Sequence, residues 1–263
     1  MKLKKLVLSL TFVIFALVLT SCNKSITLIN EVINRNVNYE ENISILDFED
    51  AIVEATAIAT ESSVGVMVSS GSIFFGTESF GSGTVIKKEE IAKDLYEYYV
   101  LTNRHVVLTD NGNKRNIKIR FEDKQEVDAE ICVYDVAVDV AIVKFQSSRI
   151  INPAKISLDN LEAGRFVVAV GSPHDIESYY NTATVGNISH NNRVIEEEDM
   201  RGNLVKNIYI QHTAALNSGN SGGGLFNIKG ELIGINCWKI VDEEIEGMNF
   251  SIPLKEVYNK YKQ

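Results

Sequence analysis

A chain of 263 residues can form one large domain or two small ones with a sizeable buried core, and its 45% hydrophobic content excludes a wholly disordered protein. The formal charge is −9, and removing residues 1–21, which carry Lys2, Lys4 and Lys5 and no acid, takes it to −12. A body that acidic repels phosphate backbones and no basic stripe reverses this, so nucleic acid is disfavoured as a partner.

The first twenty-two residues read as an address rather than as fold. Lysines precede an apolar run of fourteen residues, Leu6 to Leu19, interrupted only by Ser9 and Thr11. A membrane-spanning helix needs roughly 20 apolar residues, so this run is short for a span and suits the core of a signal peptide. It ends in Leu19-Thr20-Ser21-Cys22, which resembles the bacterial lipobox. That resemblance implies a signal peptide over 1–21 and diacylation of Cys22, giving a stable membrane anchor on the extracytoplasmic face. Residues 22–44 are polar and Asn-rich and read as a tether. Leu46, Ile52, Val53 and Ile58 then recur at helical spacing behind early acids, which predicts a short helix over 45–60 leading into the domain.

From Val64 the pattern changes. Short β-branched or aromatic runs recur at 65–69, 83–87, 98–102, 117–121, 126–134, 140–145, 165–170, 182–188, 208–211, 224–227, 232–236 and 248–252, separated by Gly, Asn and Asp turns. About a dozen strands at this spacing argue an all-β sandwich or barrel pair. Asn152-Pro153 falls near the middle, which sets the halves at about 62–150 and 154–255 within a domain over 45–263. No internal repeat stands out. Cys132 and Cys237 sit in strand-like apolar stretches, where a cysteine is usually a small buried hydrophobe; a disulfide between them stays open.

The sharpest chemical feature is Asn217-Ser218-Gly219-Asn220-Ser221-Gly222-Gly223-Gly224-Leu225. A serine hydroxyl is a weak nucleophile and needs an adjacent base and a place for the negative charge that develops on the substrate oxygen. Glycines around Ser221 permit tight turns and let the N–H groups of Gly219 and Ser221 converge as an oxyanion hole. Leu101-Thr102-Asn103-Arg104-His105-Val106-Val107 supplies a histidine between an apolar strand and a Val-Val pair. Asp139 lies in the apolar run 135–143, where a carboxylate requires a partner, and an imidazole N–H is a fitting one. Asp135 shares its parity but sits at the start of the run, closer to water. Gly219-x-Ser221-x-Gly223 also fits the nucleophile elbow of α/β-hydrolases, but that fold needs a histidine after the serine, and His105, His174, His190 and His212 all precede it. The order His105, Asp139, Ser221 is that of the chymotrypsin type.

From about Val64 to Pro253 the chain resembles the HtrA/Deg group of trypsin-like serine proteases. The resemblance rests on Gly81-Ser82-Gly83-Thr84-Val85-Ile86, Thr102-Asn103-Arg104-His105-Val106-Val107, Asp139-Val140-Ala141-Ile142-Val143, the segment 211–225 around Ser221, Gly230–Asn236 and Gly247–Pro253. It implies two six-stranded antiparallel β-barrels with the active site in the cleft between them, protein or peptide substrates, and no metal or organic cofactor. It also implies a substrate pocket that includes Ala215 and Asn236. Ala215 stands where trypsin-type enzymes carry a pocket-floor aspartate, so the expected preference is for small or medium apolar residues before the cut. Three departures matter. His212-Thr213 stands where the group usually has Thr-Asp. The sequence ends at Gln263 without the PDZ module of many relatives. No aromatic trimerisation segment is evident near the start, so the oligomeric state stays open.

The remaining features have plain readings. His174 and His190 read as surface histidines; His212 either lines the cleft or fills the core. Glu196–Asp199 reads as a solvated hairpin tip, and Trp238 as core or cleft wall. Absent H-E-x-x-H, cysteine-pair and phosphate-loop motifs leave metal and nucleotide chemistry without support. The expected activity is therefore serine endopeptidase, acting on exported or misfolded proteins at the cell surface. The alternative is a surface lipoprotein that binds proteins, as chaperone or adhesin, with latent cleavage.

Overall fold

The computed structural model describes residues 45–70, 77–109, 115–173, 178–198, 204–239 and 247–261. The signal peptide, Cys22, the tether, His174 and Asp199 lie outside them. No helix among the described residues is long and apolar enough to cross a membrane.

Among the described residues, twelve strands close into two barrels of six antiparallel strands each. The first comprises β1 (Ser63–Ser70), β2 (Thr77–Ala92), β3 (Leu95–Asn103), β4 (Asn116–Arg120), β5 (Glu126–Asp135) and β6 (Val140–Ser147). They run β1-β2-β3-β6-β5-β4 around the barrel, with β4 returning to β1. The second comprises β7 (Phe166–Gly171), β8 (Thr182–Glu198), β9 (Leu204–His212), β10 (Gly224–Asn227), β11 (Leu232–Lys239) and β12 (Asn249–Pro253), in the order β7-β8-β9-β12-β11-β10. The two windings are the same, so a topological repeat exists where the sequence shows none. Strand alternation fills each interior. In β4, Ile117 and Ile119 point inward while Asn116 and Lys118 meet solvent. Val66, Tyr98, Val100 and Val143 pack inside the first barrel, and Val167, Ile188, Ile210 and Leu225 inside the second.

A further apolar cluster holds the halves together. Ala55 and Ala59 of helix α1 (Ile45–Glu61) and Leu101 and Val140 of the first barrel pack with Val168, Val170, Phe226 and Ile235 of the second. Polar contacts reinforce it. In the linker over 148–165, the Ala154 N–H donates to Val85 O at 2.8 Å, and Lys155 O accepts from the Leu232 N–H at 2.7 Å. The Asn181 amide donates to Thr60 O at 2.9 Å, and the Tyr180 hydroxyl to Ser63 O at 3.3 Å. Burial of Tyr180 pushes its phenol up to about 12.

Each predicted strand coincides with an observed one, and α1 occupies the predicted helix. The structure adds two helices and corrects two readings. Helices α2 (Arg104–Val107) and α3 (Leu254–Tyr261) were not anticipated. Glu196–Glu198 do not form a hairpin tip: they belong to β8 and pair with Leu204–Lys206. Cys132 is exposed rather than buried, because it is the extra residue of a bulge in β5 between Ile131 and Val133. Cys237 is buried, and neither cysteine is in a disulfide.

Leu101→Ala opens a cavity where the two barrels meet. The expected cost is about 2–5 kcal/mol, read as a lower urea midpoint with an unchanged slope.

Candidate active site

Strand register brings the first two candidate residues together. β3 and β6 pair antiparallel with Asn103 opposite Val140, so the residues just after β3 and just before β6 are neighbours. β3 leads into α2, which carries His105, while Asp139 closes the turn before β6 with φ +54°. Asp139 thus sits in a tight, half-buried turn rather than within the strand run. Its carbonyl accepts the Arg104 N–H at 3.1 Å and the Asn103 side-chain amide at 3.0 Å. Its carboxylate accepts the His105 N–H at 2.9 Å through Oδ1 and lies 2.6 Å from His105 Nδ1 through Oδ2. A carboxylate can only accept here, so Nδ1 carries the proton and Nε2 is left as the basic nitrogen. Asp135 serves differently: Oδ1 caps the Ala137 and Val138 N–H groups at 2.6 and 3.2 Å, and Oδ2 pairs with Lys260 at 2.6 Å.

Ser221 comes from the other barrel, on the turn before β10. Gly222 has φ +87°, and a Cβ there would lie 2.1 Å from Thr102 Oγ1 and 2.2 Å from Ser82 O. Only glycine lets this turn press so closely against β2 and β3 of the first barrel. Backbone bonds hold it, among them Ser82 N–H to Ser221 O at 2.8 Å, Gly222 N–H to Asn236 O at 2.9 Å, and Gly223 N–H to Asn220 O at 3.0 Å. Among the described residues, the N–H groups of Gly219 and Ser221 have no backbone acceptor.

The Ser221 hydroxyl donates to the backbone carbonyl of Cys237 at 2.8 Å rather than to the imidazole. The Cys237 thiol in turn donates to Asp139 Oδ2 at 3.6 Å. Cys237 therefore touches both the serine and the aspartate. Nothing in its strand pattern signals this, because Cys237 is the extra residue of a bulge in β11 between Asn236 and Trp238.

The two pocket residues diverge. Ala215 is exposed, and its carbonyl accepts the Thr184 hydroxyl at 2.8 Å. Asn236 is fully buried. Its amide nitrogen donates to Val170 O at 3.2 Å and Gly224 O at 3.0 Å, and its Oδ1 accepts the Ser251 hydroxyl at 3.0 Å. With every polar atom bonded, it is a cross-tie beneath the nucleophile turn.

His212 belongs to the core. It is fully buried, with Nε2 2.9 Å from Ser251 Oγ. His190 is half-buried in β8, its Nδ1 accepting the Asn192 N–H at 3.2 Å. Among the described residues no three His, Cys, Asp or Glu side chains form a metal-binding group.

Paired six-stranded barrels that bring a serine, a histidine and an aspartate to their junction define a chymotrypsin-like protein. The model of the trypsin-like peptidase domain matches residues 81–235, more than half of the chain, and the chain belongs to that family. It is 33% identical over 214 residues to the serine protease Do-like HtrA of Bacillus subtilis (strain 168), covering 80% of this chain and 45% of that one. It is 32% identical over 229 residues to the HtrA of Lactococcus lactis subsp. cremoris (strain MG1363), covering 85% of this chain and 51% of that one. The chain thus spans about half the length of these curated relatives. A solved structure of an HtrA-type protease, an AlgW variant with a tripeptide, is similar at TM-score 0.60 and 25% identity, covering 79% of this chain and 61% of that chain.

Burial lowers the His212 imidazole from 6.5 to about 4. The unfolded chain therefore binds a proton that the folded one refuses between about pH 6.5 and 4, so stability falls as pH drops through that window. The full loss is about 3 kcal/mol, and His212→Asn should abolish this part of the pH slope in urea unfolding followed from pH 7 to 4.

Proposed function

We propose that the protein is a serine endopeptidase working through an acyl-enzyme intermediate. The observation that carries this reading is the 2.6 Å bond between His105 Nδ1 and Asp139 Oδ2, with Ser221 on a glycine turn pressed against the same barrel. In turnover the Ser221 hydroxyl leaves the Cys237 carbonyl and gives its proton to His105 Nε2 as its oxygen attacks the peptide carbonyl. Asp139 stabilises the imidazolium, and the Gly219 and Ser221 N–H groups take the oxyanion. The imidazolium then protonates the leaving amine, and water, activated by the same imidazole, hydrolyses the ester. With Ala215 in place of a pocket acid, the substrates are chains with small or medium apolar residues before the cut. Exported or misfolded proteins present such segments when they lose their fold.

One observation favours the second reading, a protein-binding lipoprotein with latent cleavage: at rest the nucleophile is bonded to a carbonyl rather than to its base. A fluorophosphonate separates the two. Under the protease reading it labels the full chain at Ser221 and casein is digested. Digestion falls about a millionfold in Ser221→Ala and His105→Ala, and about ten-thousandfold in Asp139→Asn. A folded protein that takes no label and leaves casein intact supports the binding reading instead.

The same proposal puts the enzyme on the outer face of the cell membrane through acylated Cys22. Labelled palmitate should enter the wild-type chain, and Cys22→Ala should abolish both the label and recovery in the membrane fraction.

A further inference from the structure

We infer that Ser82, a residue of the first barrel, is a positioning residue for the oxyanion-binding turn of the second. The inference rests on reading the Gly219 and Ser221 N–H groups as the oxyanion donors.

Ser82 lies in β2 and is 1% exposed. All its polar groups are engaged, and three of its four partners lie in the other barrel. Its N–H donates to Ser221 O at 2.8 Å, and its hydroxyl donates to Gly219 O at 2.7 Å. The hydroxyl also accepts the Ser172 N–H at 2.8 Å, while the Ser82 carbonyl accepts the Thr102 hydroxyl at 2.7 Å.

These bonds matter because of where the two oxyanion donors sit in the chain. They are separated by the peptide unit between Gly219 and Asn220, and its orientation decides whether they converge. The pivot is Gly219, at φ +97°, a residue whose backbone resists rotation less than any other. That peptide unit is held at both ends, by the Ser82 hydroxyl on its carbonyl and by Asn217 O, 3.0 Å from the Asn220 N–H. The peptide unit after Ser221 is held likewise, by the Ser82 N–H on its carbonyl and by Asn236 O on the Gly222 N–H. One residue thus bonds both the peptide unit between the two donors and the one that follows the nucleophile. It does so from the barrel that carries His105 and Asp139, so the same contacts align the donors with the base.

The inference also accounts for the closeness at Gly171 and Gly223. A Cβ at Gly171 would lie 3.0 Å from Ser82 Oγ, and one at Gly223 3.2 Å from Ser82 Cβ. The turn and β7 close around this one side chain.

The test compares the full-length wild type with Ser82→Ala and with Ser82→Cys, which keeps the volume and a weak donor. In Ser82→Ala, kcat on a peptide substrate should fall about tenfold to a hundredfold while KM stays within about twofold. Affinity for a peptide aldehyde, whose adduct on Ser221 places an oxyanion between the donors, should fall by the same factor. Ser82→Cys should lie between. Amide hydrogen exchange over 217–223 should quicken in Ser82→Ala, with that of β4 and β5 unchanged. A lower melting temperature with unchanged kcat, aldehyde affinity and turn exchange in the folded variants overturns the inference. If the wild type neither hydrolyses peptide nor takes the aldehyde, the protease reading fails on its own account. Exchange over 217–223 then still decides whether Ser82 holds the turn.

Discussion

The bond from His105 to the Asp139 carboxylate is the constraint on which the geometry of the candidate site depends. An imidazole alone at a protein surface has two tautomers and free rotation, and neither suits a base that must face one hydroxyl. Asp139 removes that freedom with two contacts, one to the ring and one to the His105 N–H. It can do so because its own backbone is fixed. The Arg104 N–H and the Asn103 amide hold its carbonyl, and the left-handed turn aims the side chain back across the end of β3. A half-exposed pair of this kind contributes little to stability; its value lies in orientation.

The second constraint is the closeness of the two barrels. Burying Leu101, Val140, Val168 and Phe226 in one cluster sets the separation, and the alanines of α1 allow that helix to lie against it. Within that separation only a glycine turn fits between β2, β3 and β10. Packing thus determines where the nucleophile can be, and the polar contacts of Ser82 and Asn236 determine how its backbone faces. The Cys237 carbonyl holds the Ser221 hydroxyl at 2.8 Å.

Much of this was legible in the sequence, because strands in a barrel obey a period of two and twelve such runs were visible. The candidate triad was legible from residue type and chain order. What escaped has physical reasons. The outer halves of β2 and β8, around Glu89–Ala92 and Asn192–Glu196, are exposed ribbons whose charged residues show no buried face. The left-handed backbone of Asp139 carries no glycine to announce it. Bulges at Cys132 and Cys237 shift the strand phase by one residue, so a thiol expected inside faces solvent and the other comes against Asp139. The three side-chain hydrogen bonds of Asn236 run to Val170, Gly224 and Ser251, far from it in sequence, so local patterning does not show them. The Ser82 hydroxyl bridges two halves of the chain 137 residues apart, a contact that local patterning does not encode.

The central claim is that residues 105, 139 and 221 act as one machine, and a crystal structure of the phosphonylated protein tests it most directly. The account predicts phosphorus on the Ser221 oxygen and its anionic oxygen between the Gly219 and Ser221 amides. The His105 Nε2 should stand within hydrogen-bonding distance of the adduct, and its Nδ1 should still be bonded to Asp139. Phosphorus on another residue contradicts it, as does an adduct at Ser221 whose anionic oxygen faces solvent with the imidazole turned away.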